Sequence, residues 1–138
     1  MPTDPTVSLE ERKLAAIMFT DMVGYSALSQ RDDQLGLELL EEHRRLLREI
    51  FPHFHGVEIK TIGNAFLVEF GSALEAAQCA IEIQRALAKR NHDVTSDRRI
   101  QLKIGIHMTR AASIFSMASV KSCSPVSWPF VRVCCAFA

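Results

Sequence analysis

Apolar and polar positions along the chain follow two periodicities, and the switches between them mark the elements. Residues 14–19 form a short continuous apolar run without helical spacing, which predicts a strand over about 13–20 buried on both faces. The run stops on Asp21, and Gly24 follows, so a carboxylate stands at the mouth of a core strand beside a tight turn. A long helix comes next. Asp32 and Asp33 suit its N-terminus, and Leu39, Leu40, His43, Leu46, Leu47, Ile50 and Phe54 repeat at helical spacing on one face. Glu41 and Arg45 are spaced to pair on the other face. His43, inside the apolar stripe, reads as a packed, hydrogen-bonded side chain rather than a ligand.

Pro52 and Gly56 end that helix, and two β-rich runs, 57–62 and 65–70, are joined by Gly63-Asn64, a two-residue hairpin signal. Ser72 followed by Glu75 is a capping-box pattern, and Ala73, Ala76, Ala77, Ala80, Ile83 and Leu87 mark the buried face of a second helix ending near Asn91. After a polar loop, Ile100, Leu102, Ile104, Ile106 and Met108 alternate with Gln101, Lys103, Gly105 and His107, the cleanest period-two strand in the chain. The order β, α, β, β, α, β predicts an α+β ferredoxin-like sandwich, with both long helices on one face of an antiparallel sheet. That architecture serves many functions, so the chemistry has to be read from the residues.

Composition narrows the function classes. With 138 residues the chain holds one domain with a real core. The 16 acidic and 16 basic side chains cancel, so no overall field favours a polyanion or an anionic membrane, and a nucleic-acid role loses ground. No apolar stretch approaches the roughly 18 residues of a membrane span, and residues 1–11 are polar with two prolines, unlike a signal peptide, so a cytoplasmic protein is expected. The four cysteines, Cys79, Cys123, Cys134 and Cys135, show no C-x-x-C spacing and indicate neither a zinc site nor a disulfide framework. Residues 1–12 read as a mobile polar leader. From 111 to 138 the composition changes to six serines, three cysteines, no acidic residue and no glycine, which reads as a non-native or displaced terminus, with an ordinary last strand and a serine-rich loop as the plainer alternative.

The Asp21 corner is the strongest chemical candidate. A carboxylate with no basic neighbour in sequence, followed by a glycine that lets the backbone turn and point amides outward, suits a divalent cation and the phosphates it carries. An aspartate that merely ends a strand and caps the next turn gives the same local pattern. His53 and His55 make a short alternating pair that suggests a metal only if a third ligand is present, and the sequence shows none.

Three stretches, read together, resemble a known family: residues 19–26 (Phe-Thr-Asp-Met-Val-Gly-Tyr-Ser), residues 58–70 and residues 102–107. In order and separation they are similar to the catalytic domain of the class III adenylate and guanylate cyclases, over about residues 13–107. The resemblance implies a metal-dependent cyclisation of ATP to 3′,5′-cyclic AMP and pyrophosphate, with two Mg²⁺ or Mn²⁺ ions held by two aspartates. Asp21 matches the first metal aspartate, and Met22 the position whose backbone carbonyl also touches metal. Val23, Gly24, Tyr25 and Ser26 match the loop that receives the β- and γ-phosphates. Lys60 matches the adenine-reading lysine of adenylate cyclases, which favours ATP over GTP, and without the resemblance it would read as an exposed lysine on a half-buried strand. Lys103 matches a phosphate-contacting basic residue, where arginine is more familiar.

The chain departs from the family at two places. Asn64 stands where the second metal aspartate is expected, bringing an oxygen but no charge; it is also a preferred residue for a tight turn. The family's second adenine-recognising residue and its transition-state asparagine and arginine have no counterpart, because residues 111–138 contain neither aspartate nor asparagine, so no catalytic residue beyond the metal corner is mapped. The expectation is therefore residues 13–110 as the N-terminal part of a cyclase domain, working as a homodimer or with a complete cyclase chain and weakly active or inactive alone. The alternative is a non-catalytic cyclase-like nucleotide-binding or dimerisation module. An unrelated RNA-binding domain is disfavoured because the sheet carries neither clustered aromatics nor excess basic residues.

Overall fold

The computed structural model describes residues 14–110 of the chain. The expectations for residues 1–12 and 111–138 fall outside that range. The elements are β1 (Leu14–Met22), α1 (Tyr25–Arg31), α2 (Asp33–Ile50), β2 (Val57–Ile62), β3 (Ala65–Phe70), α3 (Ala73–Asn91) and β4 (Leu102–Arg110), with short 3₁₀ turns at Phe51–Phe54 and Ser96–Arg98. The strands form one antiparallel sheet in the order β2-β3-β1-β4, the arrangement of a ferredoxin-like sandwich.

Both long helices cover the same face of this sheet, as the pattern predicted. Leu35, Leu39, Leu40 and Leu47 from α2 and Ala76, Cys79, Ile83 and Leu87 from α3 pack with Ala16, Met18, Phe66, Val68, Phe70, Leu102 and Ile104 in one core. β1 is buried on both sides because its alternate residues Ala15 and Ile17 join Leu67, Phe19 and Ile59 in a second cluster on the far face. α3 buries Cys79 within its stripe, while Ala73 is exposed at the first turn.

The helix caps follow the sequence only in part. Asp32 accepts the Leu35 amide at 3.0 Å and Ser72 accepts the Glu75 amide at 3.2 Å, as expected of N-caps. Glu75 does not complete the capping box; its carboxylate turns to His55 Nδ1 at 3.1 Å. Glu41 lies 3.8 Å from Arg44, one residue short of the expected Arg45. Helical structure also begins earlier than Asp32. Residues Tyr25–Arg31 form α1, which starts at Gly24, has no side-chain cap and buries no residue, so neither a cap nor an apolar stripe announced it.

Three arginines tie the layers together. Arg48 grips Glu58 with two bonds of 3.0 Å, fixing β2 to α2, and its guanidinium lies 5.4 Å from the Phe66 ring centroid. Arg90 holds Glu42 with bonds of 2.8 and 2.7 Å, joining α3 to α2, and also donates to the Arg98 carbonyl. Arg44 reaches from α2 to the Gly63 carbonyl at 2.7 Å and so pins the β2–β3 turn. Asn91 completes the frame by bonding both the amide and the carbonyl of Ile100 at 3.0 and 2.8 Å, which sets the entry of β4.

Candidate functional site

β1 runs three residues further than the apolar run, so Asp21 lies inside the strand rather than beyond it. Its Cα partners are Ala65 on β3 and Lys103 on β4. The sequence shows no cation near Asp21, yet the sheet sets Lys103 directly across from it, with both side chains exposed. Alternation along antiparallel strands then puts Asp21, Lys103 and Lys60 on the sheet face opposite the helices, because Lys60 pairs with Leu67, whose other partner is Phe19. A bulge between Glu58 and Lys60 sets that register. Lys60 therefore lies two strands and one row away from Asp21, or ~10 Å across the sheet and ~7 Å along it. A nucleotide spans a gap of this size.

Beyond Asp21 the chain turns at Gly24, whose φ of 72° lies in the left-handed region; a Cβ there would meet nothing within 4 Å, so its backbone angle is what requires glycine. The Val23 amide is donated to the Gln101 carbonyl at 2.9 Å, so Val23 is anchored to the lead-in of β4 and cannot offer its N–H to an anion. Gly24, Tyr25 and Ser26 open α1, where first-turn amides have no intrahelical acceptor. Gly24 and Ser26 are exposed and Tyr25 is half-buried against the core. Of the loop residues singled out in the sequence, three remain available for phosphate and one serves the fold.

At the other strand end, Gly63 takes φ 55° at the first central position of the hairpin turn. Asn64 follows, half-buried, and its side-chain amide Nδ2 donates to the Met22 carbonyl at 3.3 Å. The two positions expected to share metal are thus brought together, but by a hydrogen bond between them. A two-ion centre needs carboxylates converging from both strand ends. Among the described residues Asn64 takes the place of a second carboxylate opposite Asp21, its amide occupies one lone pair of the Met22 carbonyl, and no group of three or more His, Cys, Asp or Glu is placed to hold an ion. The residues present do not fit the two-ion centre that the resemblance implies.

His43 and His55 serve the fold. His55 sits in the left-handed region at φ 58°, closes the 3₁₀ turn and pairs with Glu75, and among the described residues no group of three metal-ligating side chains includes it and His53. His43 is fully buried, its ring centroid 5.4 Å from that of Phe66, and neither ring nitrogen makes a well-formed hydrogen bond among the described residues; the Leu40 backbone is only a weak partner, short of the fully bonded side chain expected. Desolvation foremost, and then the charges of Arg44 and Arg48, push its pKa down to about 4. The hollow lined by Glu49, Ile50, His53, Phe54 and Glu82 lies in the helix layer, on the side of the sheet away from Asp21 and Lys60.

Comparison with known proteins decides the family. The pattern of the Adenylate and Guanylate cyclase catalytic domain matches residues 7–120. The chain belongs to this family. A Rhizobium meliloti protein that carries an adenylate cyclase name is 41% identical over 98 residues, which is 70% of this chain and 17% of that protein. A Leishmania donovani receptor-type adenylate cyclase is 35% identical over 77 residues, covering 56% of this chain and 6% of its own length. Among solved structures, an adenylate/guanylate cyclase/hydrolase from Silicibacter pomeroyi superposes with a TM-score of 0.63 at 37% identity, over 70% of this chain and 56% of that one. A Trypanosoma brucei adenylate cyclase in its monomeric state, at 20% identity and TM-score 0.62 over 75% of this chain and 60% of that one, shares the fold. The cyclase domain described here thus spans under a fifth of the length of these curated relatives and a little over half of the solved domains.

Proposed function

We propose that this cyclase domain is the nucleotide-binding half of an adenylate cyclase site: it takes ATP, with adenine at Lys60 and the phosphates between Lys103 and the amides of Gly24, Tyr25 and Ser26. The observation that carries this reading is the alignment of Lys60, Asp21 and Lys103 on one sheet face, with the glycine turn at its end. The reaction of such a site is attack of the ribose 3′-hydroxyl on the α-phosphorus with pyrophosphate leaving, and its catalysis rests on orientation and charge compensation. Lys103 supplies positive charge where a triphosphate would lie, and the loop amides supply N–H donors that need no reorganisation.

Those groups bind and orient; none of them is placed to stabilise the five-coordinate α-phosphorus. The 138-residue polypeptide is therefore expected to bind ATP and to make little or no cyclic AMP alone. The sheet face is a platform rather than an enclosed pocket, in keeping with a site completed across a dimer, either of two copies or with a complete cyclase chain. Two copies of this polypeptide share the same gaps and do not repair each other. Among the described residues no helix is long and apolar enough to cross a membrane, and the domain is expected to work in the cytoplasm.

A non-catalytic nucleotide-binding module is the second reading, and the Asn64 bond to Met22 favours it, because that bond takes up a carbonyl of the metal corner. Calorimetric titration with ATP and GTP tests the shared core of both readings. ATP is expected to bind more tightly than GTP, and Lys60→Glu to erase the preference; equal affinity of wild type and variant for ATP would remove Lys60 from the site.

A further inference from the structure

We propose that Asn64 closes the Asp21 corner with its own amide in the place of a cation, so that this domain holds its two strand ends together without a metal ion. The β1–β3 ladder ends at the pair Asp21↔Ala65, one residue short of Met22. Met22 lies past the last β1–β3 pair while still paired with Leu102 on β4, and the Asn64 Nδ2 donates to its carbonyl at 3.3 Å. A buried or half-buried carbonyl left without a donor is costly, so this bond satisfies a group that a cation would otherwise satisfy.

Turn geometry favours asparagine at this position but does not require it. Gly63 carries the positive φ of the hairpin, and among the described residues His55 is the non-glycine residue with positive φ, so the left-handed tolerance of asparagine is unused at position 64. What asparagine adds is a side-chain donor. Its delivery is rigid, because Arg44 pins the neighbouring Gly63 carbonyl at 2.7 Å from the helix layer. An aspartate at the same place would set a carboxylate oxygen against the Met22 carbonyl and add a second negative charge near Asp21, an arrangement that needs a cation between the groups. Asparagine reverses that requirement. The corner is complete when no ion is bound.

The inference concerns the corner that the ATP reading also uses, so its test is run without nucleotide and reads stability and ion binding, not turnover. Melting temperatures of wild type, Asn64→Asp, Asn64→Ala and the double variant Asn64→Asp with Asp21→Asn are measured in EDTA and in millimolar Mn²⁺, alongside electron-spin-resonance titration of Mn²⁺. Wild type is expected to melt within about 1 °C in both buffers. Loss of one net hydrogen bond predicts a fall of roughly 3 °C for Asn64→Ala in both. Asn64→Asp falls at least as far in EDTA, recovers in Mn²⁺ and binds the ion at least about 10-fold more tightly than wild type; the double variant loses that recovery. Wild type gaining as much from Mn²⁺ as Asn64→Asp would overturn the proposal, as would Asn64→Asp or Asn64→Ala melting with wild type in EDTA. ATP binding stands or falls separately, by calorimetry on wild type.

Discussion

His43 makes the stability of this domain depend on pH in a window where its carboxylates do not. The ring is fully buried, tilted at 54° against Phe66, flanked by Arg44 and Arg48 on its own helix and held at a pKa of about 4, against 6.5 for a free histidine. Only the Leu40 backbone pulls weakly the other way. The folded state therefore keeps the ring neutral while the unfolded chain protonates it, so stability is complete above the unfolded value and drains away as pH falls from 6.5 toward 4. The gap between 6.5 and about 4 sets a ceiling of about 3.4 kcal/mol, of which about 2 kcal/mol is lost between pH 7 and pH 5. Glu42 and Glu58 do not share this window. Their hydrogen bonds to Arg90 and Arg48 hold them below 4.5, so their contributions are present above that value and lost only at lower pH. Urea unfolding at pH 7 and pH 5, on wild type and His43→Leu, isolates the effect. Wild type should lose about 2 kcal/mol and His43→Leu far less. Equal losses in both proteins would show that His43 is not the source.

Three further outcomes follow from the same contacts. Arg90→Ala removes a bidentate grip on Glu42 and the bond to the Arg98 carbonyl, and should cost about 2–3 kcal/mol in urea unfolding, with Arg90→Lys recovering only part of it. Gly24→Ala has room for its methyl group but not the backbone angle, so a loss of about 1–2 kcal/mol is expected together with weaker ATP binding by calorimetry; an unchanged melting temperature would mean that the turn relaxes freely. Lys103→Ala should weaken binding of ATP and of inorganic triphosphate by the same factor, since its proposed contact is to phosphate; weakening of ATP alone would move Lys103 to the nucleoside end.

Local signals carried most of the fold. The β4 strand, the stripe from Leu39 to Leu47 and the side-chain caps at Asp32 and Ser72 are set by neighbours a few residues apart and form as the sequence indicates, although Met108 at the end of the alternation is exposed and Glu75 does not close the capping box. What the sequence concealed depends on contacts between distant residues. Lys103 faces Asp21 only because β4 pairs with β1, Arg90 meets Glu42 across 48 residues, and Arg44 reaches a turn 19 residues away. The helix at Tyr25–Arg31 has no buried residue to give it a periodic signature. At the candidate site, Asp21, Lys60 and Lys103 were legible as residues but not as one face of a sheet. Asn64 was legible as a missing carboxylate but not as a donor, since the identity of its acceptor, Met22, is a fact of the folded corner.

In the proposed function this domain gathers ATP without the groups that complete the reaction. Cyclic AMP formed from ATP by the pure 138-residue polypeptide, with Mn²⁺ present and ATP at a concentration that calorimetry shows to be saturating, tests it directly. Losing a single stabilising donor commonly costs 10²–10³ in rate, and the proposed site assigns none to the α-phosphorus, so product should stay below about 10⁻² per second per chain. Turnover near 1 per second, ordinary for an enzyme, would contradict the account and show that groups for the α-phosphorus are present in this chain.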